Sequence, residues 1–287
     1  MIRVENVSFS YTKKVFMEDI SFEVQKGEIF GFLGPSGAGK STLQKILIGL
    51  LTGYKGSVQV DGTEVRERDN SFYEKIGIDF EFPSLYEKLT ARENLQFFAS
   101  LYENRGKEAR EKRMEELLEQ VGLLRDADKK VSDFSKGMKS RLNFIKALLH
   151  NPDILFLDEP TSGLDPTNSR LMKDMIITEK QKGKTIIITT HNMEDAAELC
   201  DRVAFIVEGK IKALDSPHHL IMEKGTNKLH YSYLNNGAEV TDQCLLKETG
   251  QNVQLQNLMR EGKILTIHSE EPNLGDIFME VTGRRLA

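Results

Sequence analysis

Cysteine is scarce in this chain: 287 residues hold only Cys200 and Cys244, with no metal-ligand spacing between them. Free cytosolic thiols are expected rather than a disulfide framework. Long apolar runs are also missing. None approaches the roughly 18 residues that would span a bilayer. The first residues, Met1-Ile2-Arg3-Val4-Glu5-Asn6, lack the charged-then-apolar layout of a signal peptide. There is no excess of positive charge; the net charge of -5 argues against non-specific nucleic-acid binding. Internal repeats and low-complexity segments are absent too. What remains is an ordinary globular composition, 39% hydrophobic and 29% charged, long enough for one large domain or one large and one small.

Within it stands Gly34-Pro35-Ser36-Gly37-Ala38-Gly39-Lys40-Ser41-Thr42, which reads G-x-x-x-x-G-K-[ST], the phosphate-binding loop or Walker A motif. The glycines let the backbone turn tightly, so that successive N–H groups face phosphate oxygens. Lys40 is expected to supply a mobile charge to the β- and γ-phosphates, and the Ser41 hydroxyl is placed for Mg²⁺. Context supports the match. Glu28-Ile29-Phe30-Gly31-Phe32-Leu33 before it is a short apolar run that reads as a buried strand. Thr42-Leu43-Gln44-Lys45-Ile46-Leu47-Ile48-Gly49-Leu50 after it is helical in pattern and aims a helix N-terminus at the phosphates.

Alternation over Val7-Ser8-Phe9-Ser10-Tyr11 and Ile20-Ser21-Phe22-Glu23-Val24 predicts an antiparallel sheet with one face buried. Tyr11, at the end of the first run, has two readings: stacking on adenine, or packing on the sheet edge. Residues 56–62 read as a strand entering an Asp-Gly turn, and 76–81 as another strand. The pattern then becomes helical through about residues 84–150. Ala91, Leu95, Phe98, Ala99 and Tyr102 share one face, and Met114, Leu117, Leu118 and Val121 another, with Gly122 as a C-cap. The charge-rich stretch 107–116 reads as a solvated helix face rather than a binding patch.

Strands return as continuous apolar runs at Ile154-Leu155-Phe156-Leu157-Asp158-Glu159 and Thr185-Ile186-Ile187-Ile188-Thr189-Thr190, with a helix over about 167–181 between them. Continuous runs indicate parallel strands covered on both faces, and the β-α-β rhythm a doubly wound sheet. Asp158 and Glu159 emerge at a strand's carboxyl end, where α/β proteins bind ligands. Asp158 fits the Walker B role of holding Mg²⁺. Glu159 faces differently and is a candidate general base that poises water for the γ-phosphate. An acidic pair at a strand end is common in isolation; the phosphate loop favours the metal-and-base reading. A lone histidine is more often structural, yet His191 follows the next strand at the same edge, where it can sense the γ-phosphate.

With these motifs assembled, the chain resembles the ATP-binding subunits of ABC transporters over about residues 1–220. Phe134-Ser135-Lys136-Gly137-Met138-Lys139 looks like the family's L-S-G-G-Q signature. Lys136 replaces the first glycine and the stretch departs again at Met138, while Ser135 and Gly137 are kept. The resemblance implies that these two residues meet the γ-phosphate bound by another protomer, which suits a helix N-terminus. Ser162-Gly163-Leu164-Asp165 matches the D-loop, so Asp165 joins the candidate nucleotide contacts, and Thr190-His191 matches the switch histidine. At the Q-loop the family's glutamine aligns with Glu81 of Phe80-Glu81-Phe82-Pro83, which keeps an oxygen for Mg²⁺ but adds a charge; the alternative is a solvated loop acid.

Residues 221–287 lie outside that resemblance to the core. A turn at Asn235-Asn236-Gly237, strands over 251–256 and 263–268, and a helix carrying Leu274, Ile277, Phe278 and Val281 predict a small α+β appendage. The ending Glu271-Pro272-Asn273-Leu274-Gly275-Asp276-Ile277-Phe278-Met279-Glu280-Val281-Thr282-Gly283 resembles the tail of bacterial drug- and ion-exporter ATPase subunits. The expected fold is therefore an α/β P-loop NTPase core with an N-terminal antiparallel β subdomain, an inserted helical subdomain and a C-terminal accessory domain. The resemblance implies an ATPase using ATP and Mg²⁺, paired as a homodimer or heterodimer around two ATP molecules. It would sit peripherally on the cytoplasmic face of the membrane, where separate transmembrane subunits turn hydrolysis into export. A non-transport ABC ATPase is disfavoured because the chain has neither a second cassette nor long coiled coils, and a P-loop small-molecule kinase because of the signature motif.

Overall fold

The computed structural model describes residues 1–102, 106–225, 227–235, 237–270 and 272–283. Asn236 of the expected turn and Glu271 of the exporter-like ending lie outside the described residues. The chain divides into two compact units, Met1–Asp215 and a second from Ser216 on. This division falls five residues before the expected 220/221 boundary: Ser216 caps a helix beginning with Pro217, and its side chain accepts from the His219 N–H, so the break comes before that helix.

The first unit begins with β1 (Ile2–Phe9) and β2 (Met17–Val24), then β3 (Ile29–Leu33), α1 (Lys40–Leu47), β4 (Lys55–Val60), β5 (Thr63–Glu64), α2 (Asn70–Lys75) and β6 (Ile76–Asp79). Three helices follow, α3 (Ala91–Ala99), α4 (Lys107–Gln120) and α5 (Lys136–Ala147). The alternation then resumes with β7 (Ile154–Asp158), α6 (Pro166–Gln181), β8 (Thr185–Thr190), α7 (Met193–Leu199), β9 (Arg202–Val207) and β10 (Lys210–Asp215). Two sequence boundaries shift. The first strand ends at Phe9, before Tyr11, and the strand expected over 76–81 ends at Asp79, which leaves Glu81 in a bend.

β2, β1, β4 and β5 form an antiparallel sheet in that order. The larger sheet runs β10-β9-β3-β8-β7-β6, parallel from β9 to β6, with β10 antiparallel at one edge. One hydrophobic core joins the two sheets. At its centre Phe22 stacks on Phe30 at 5.5 Å and meets Phe32 edge-on at 5.3 Å. Each such buried ring contributes roughly 2–3 kcal/mol relative to exposure. The parallel register matters for function. It brings the carboxyl ends of β3, β6, β7 and β8 to one edge of the sheet, where the loops that carry the candidate residues begin.

The second unit comprises α8 (Pro217–Lys224), β11 (Lys228–Asn235), β12 (Ala238–Leu245), α9 (Val253–Arg260), β13 (Ile264–Glu270) and α10 (Leu274–Thr282). Its sheet is antiparallel in the order β12-β11-β13. The strand expected over 251–256 is a helix. Gln251-Asn252-Val253-Gln254-Leu255-Gln256 alternates, but Val253 is exposed and only Leu255 is buried, so the alternation marks no sheet face. Asn252 caps the helix by accepting from the Leu255 N–H, and Leu258 carries the helical period onto Leu229 and Tyr231.

Candidate functional site

The phosphate loop connects β3, buried throughout, to α1. Gly34 is required by packing: a Cβ there would lie 2.1 Å from the Ile206 carbonyl oxygen of β9. Gly39 is required by conformation, with φ +114° immediately before α1. The first turn of α1 has no side-chain cap and no acidic residue, so its N–H groups and positive dipole end are left to an anion. Lys40 folds back over the loop, and its Nζ donates to the Gly34 carbonyl at 2.6 Å and the Pro35 carbonyl at 3.2 Å. Burial lowers its pKa, while the carboxylates of Glu159, Asp158 and Glu81 oppose that shift.

Asp158 ends β7 and accepts hydrogen bonds from the Thr189 hydroxyl and, at 3.4 Å, from Ser41 Oγ. Glu159 follows at φ +51°, an uncommon left-handed conformation for a residue with a side chain, pinned by its N–H to the Thr189 carbonyl at 2.9 Å. That turn swings its carboxylate away from Asp158. Its Oε1 lies 2.9 Å from His191 Nδ1 and 4.0 Å from Lys40 Nζ, and its Oε2 accepts from the Thr190 hydroxyl at 3.2 Å. A cleft of about 350 Å³ results, lined by Ser36, Gly37, Gly39, Lys40, Ser41, Thr42, Glu81, Glu159 and His191, with Phe16 as its aromatic wall.

Most sequence candidates thus meet at one place. Gly34, Pro35 and Ala38 shape the loop from behind; the Ala38 N–H donates to the Pro35 carbonyl at 3.1 Å. Tyr11 stands outside the cleft lining, half exposed, edge-on to Phe9 at 4.8 Å and Phe16 at 5.4 Å. Its hydroxyl hydrogen-bonds Thr42 Oγ1 at 2.9 Å. Packing at the strand end accounts for these contacts. Phe16, which sequence reasoning missed, is the ring that faces the cleft; it follows a polar turn and belongs to no alternating run, so no periodic signal marked it.

Ser135, Gly137 and Asp165 form a separate group. Ser135 caps α5, its Oγ accepting from the Met138 N–H at 3.2 Å. A Cβ on Gly137 would lie 2.5 Å from the Asn168 side chain, which Asp165 holds through its backbone N–H at 3.0 Å and its amide at 2.5 Å. Lys136 Nζ lies over Gly163, where a Cβ would come within 2.0 Å of it. The signature-like loop and the D-loop of one chain therefore pack on each other, and neither lines the phosphate cleft.

The donor chemistry suits Mg²⁺. Ser41 Oγ and Asp158 Oδ1 are hard oxygen donors 3.4 Å apart, and Glu81 offers a third, its carboxylate, at the cleft wall. Among the described residues, no three histidine, cysteine or acidic side chains converge to hold a metal by themselves. An ion here would share its shell with phosphate oxygens, as Mg²⁺ does in nucleotide sites.

Residues 17–162 match the family model described as ABC transporter. A fluoroquinolones export ATP-binding protein of Mycobacterium tuberculosis is 46% identical, with 100% of this chain and 94% of that protein covered. Among solved structures, an ATP-binding subunit of an ABC transporter is similar at 31% identity and TM-score 0.71, covering 78% of this chain and 93% of that one. A dimeric ATP-binding cassette in a post-hydrolysis state, bound to ADP and Pi, is similar at 27% identity and TM-score 0.66, covering 75% and 98%. The chain belongs to the ABC transporter family, as one of its ATP-binding, ATP-hydrolysing subunits.

Proposed function

We propose that this subunit hydrolyses Mg²⁺-bound ATP at the cleft between α1 and the ends of β7 and β8, and that the hydrolysis powers export through separate membrane subunits. The observation that carries the reading is the convergence of Lys40, Ser41, Asp158 and Glu159 at one edge of the parallel sheet. Backbone N–H groups of Gly37 and of residues 39–42 cradle the phosphates, and Lys40 leaves its two loop carbonyls for phosphate oxygens. Ser41, Asp158 and Glu81 would hold Mg²⁺, which would supply charge neutralisation to the phosphates. Without it the cleft sets three carboxylates against one ammonium, an arrangement hostile to a polyphosphate. Glu159 accepts the proton of the attacking water at its carboxylate, and His191, 2.9 Å away, orients that carboxylate and reports the γ-phosphate's departure. The adenine base rests against the Phe16 ring at the wall of the cleft, with Tyr11 bracing that ring edge-on from outside the lining.

Ser135, Gly137 and Asp165 serve a second ATPase chain, identical or related, in a head-to-tail sandwich. Their position outside the chain's own cleft supports this, as does the dimeric state named for the similar cassette. The transport path belongs to other subunits, which hold this chain at the cytoplasmic face; its similarity to the ATP-binding protein of an export system supports this. The direction, export, rests on the similarity to the fluoroquinolones export protein along the whole chain. The test is purification from membranes with the bound subunits identified, followed by reconstitution in vesicles with ATP outside. Accumulation of cargo within the vesicles, on the side away from ATP, supports export. Isolation without any membrane subunit, or movement of cargo toward the ATP side, overturns it.

A further inference from the structure

Behind the cleft lies a buried polar cluster that no motif accounts for. Asn143, in the middle of α5, is 1% exposed, and Asp79, at the end of β6, is 6% exposed. The Asn143 amide nitrogen donates one hydrogen to Asp79 Oδ1 and the other to the Phe80 carbonyl at 3.3 Å. Its oxygen accepts from Lys146 Nζ at 2.6 Å, and that ammonium sits 4.9 Å over the Phe98 ring of α3. The amide's orientation is therefore determined: turned over, it would set its oxygen against the Phe80 carbonyl and its N–H groups against the Lys146 ammonium. The Phe80 carbonyl is the last backbone group before Glu81, and Phe80 itself packs on the core. Asn143 and Glu81 also line one cavity of about 230 Å³, together with Asp158 and Glu159.

We infer that Asn143 is a positioning residue for Glu81: by clamping Asp79 and the Phe80 carbonyl to α5, it fixes where the chain leaves β6 and so holds the Glu81 carboxylate at the metal. The inference rests on the proposed magnesium role of Glu81. An exposed glutamate in a bend has many rotamers and several backbone paths, and a ligand that must be ordered before it binds contributes less affinity. A polar residue buried in a helix, with both amide hydrogens donated and its oxygen accepting from Lys146, removes that freedom at the backbone.

The experiment measures Mn²⁺ affinity by electron paramagnetic resonance in the full chain saturated with the non-hydrolysable analogue adenylyl imidodiphosphate, alongside the analogue's affinity in excess chelator. Asn143→Leu is expected to weaken Mn²⁺ about ten-fold, the low end for contacts that orient a metal ligand, and to leave chelator-measured affinity unchanged. Glu81→Ala is expected to weaken Mn²⁺ as well, Glu81→Gln much less. Combining Asn143→Leu with Glu81→Ala is expected to add nothing beyond about two-fold, because coupled residues are non-additive where independent ones multiply. If Glu81→Ala leaves Mn²⁺ affinity intact, the magnesium role of Glu81 fails and the positioning inference falls with it. If Glu81→Ala weakens the metal but Asn143→Leu does not, or the two losses multiply, the magnesium role stands and the positioning inference is overturned. Should Asn143→Leu fail to fold for want of a partner to Asp79, the double variant Asp79→Leu/Asn143→Leu restores an apolar contact. It is expected to show the same Mn²⁺ loss, and wild-type affinity in it refutes the inference.

Discussion

Replacing Glu159 with Gln separates chemistry from binding in this site. The substitution keeps length and shape and removes the one carboxylate proposed to take a proton. A positioned general base contributes roughly 10²–10⁴-fold, about 3–5 kcal/mol of barrier, and turnover should fall by that factor. The fold should tolerate the change. Glutamine retains an oxygen for the Thr190 hydroxyl or His191, and its side chain leaves the φ +51° backbone no more strained than before. The attraction to Lys40 across 4.0 Å is worth roughly 4 kcal/mol gross at an effective dielectric of 20, but the same substitution relieves repulsion from Asp158 and Glu81. Net stability should therefore change by no more than about 1 kcal/mol, the scale of ordinary polar substitutions. ATP affinity should not fall, since one negative charge near the γ-phosphate is gone. Single-turnover hydrolysis, nucleotide titration and sizing with ATP on one preparation give all three quantities. Slow hydrolysis, intact binding and an accumulated ATP-bound dimer are expected. A variant that stays monomeric and hydrolyses at the normal rate refutes both the base role and the sandwich.

Lys40→Ala should weaken ATP binding about ten- to a hundred-fold, the value of a charge-assisted hydrogen bond, and abolish turnover; normal turnover would sink the phosphate-loop assignment. Burial, reinforced by the Asp201 carboxylate, pushes the Cys200 thiol pKa up, so its reactive thiolate is scarcer at mildly alkaline pH than in an ordinary cysteine. A thiol reagent at about pH 8 should therefore titrate Cys244 in the native protein and Cys200 only in denaturant, while fast native reaction of both would contradict this burial. A chain ending at Asp215 should still bind ATP, because every proposed nucleotide contact lies in the first unit; calorimetric titration would check it, and loss of binding together with folding would make the second unit part of the core.

The parts legible in the sequence are those in which backbone geometry demands a residue type at a fixed spacing. Gly34 is set by the approach of the Ile206 carbonyl and Gly39 by its positive φ, while Asp158 and Glu159 follow a buried strand, so spacing alone located them. What stayed hidden has no periodicity. Phe16 reaches the cleft from a turn, and Asn143 meets Asp79 across 64 residues as a polar residue on a buried helix face. The second unit misled for another reason. Alternation over 251–256 is a two-fold pattern, and Asn252, a strong helix cap, competed with it and prevailed once Leu258 supplied the next buried turn.

The signature-like loop shows how local packing constrains the proposed sandwich. Ser135 Oγ already caps α5, so it accepts from the Met138 N–H and keeps its own O–H proton free to donate. Gly137 is walled by Asn168, and Asn168 is held by Asp165 at the head of α6. Lys136 closes the same junction over Gly163, in a gap that a side chain at 163 would fill. Lys136 at the family's first-glycine position therefore tightens this junction and adds a cation beside it. In the proposed sandwich, the residues offered to a partner's γ-phosphate and the D-loop would then shift together rather than separately. Glu159 is tied into the same segment, since its carbonyl accepts from the Ser162 N–H at 3.0 Å. Closure on the partner's nucleotide would thus bear directly on Glu159, the chain's own proposed base, and the two sites would be coupled through residues 159–168 without a contact between the nucleotides themselves.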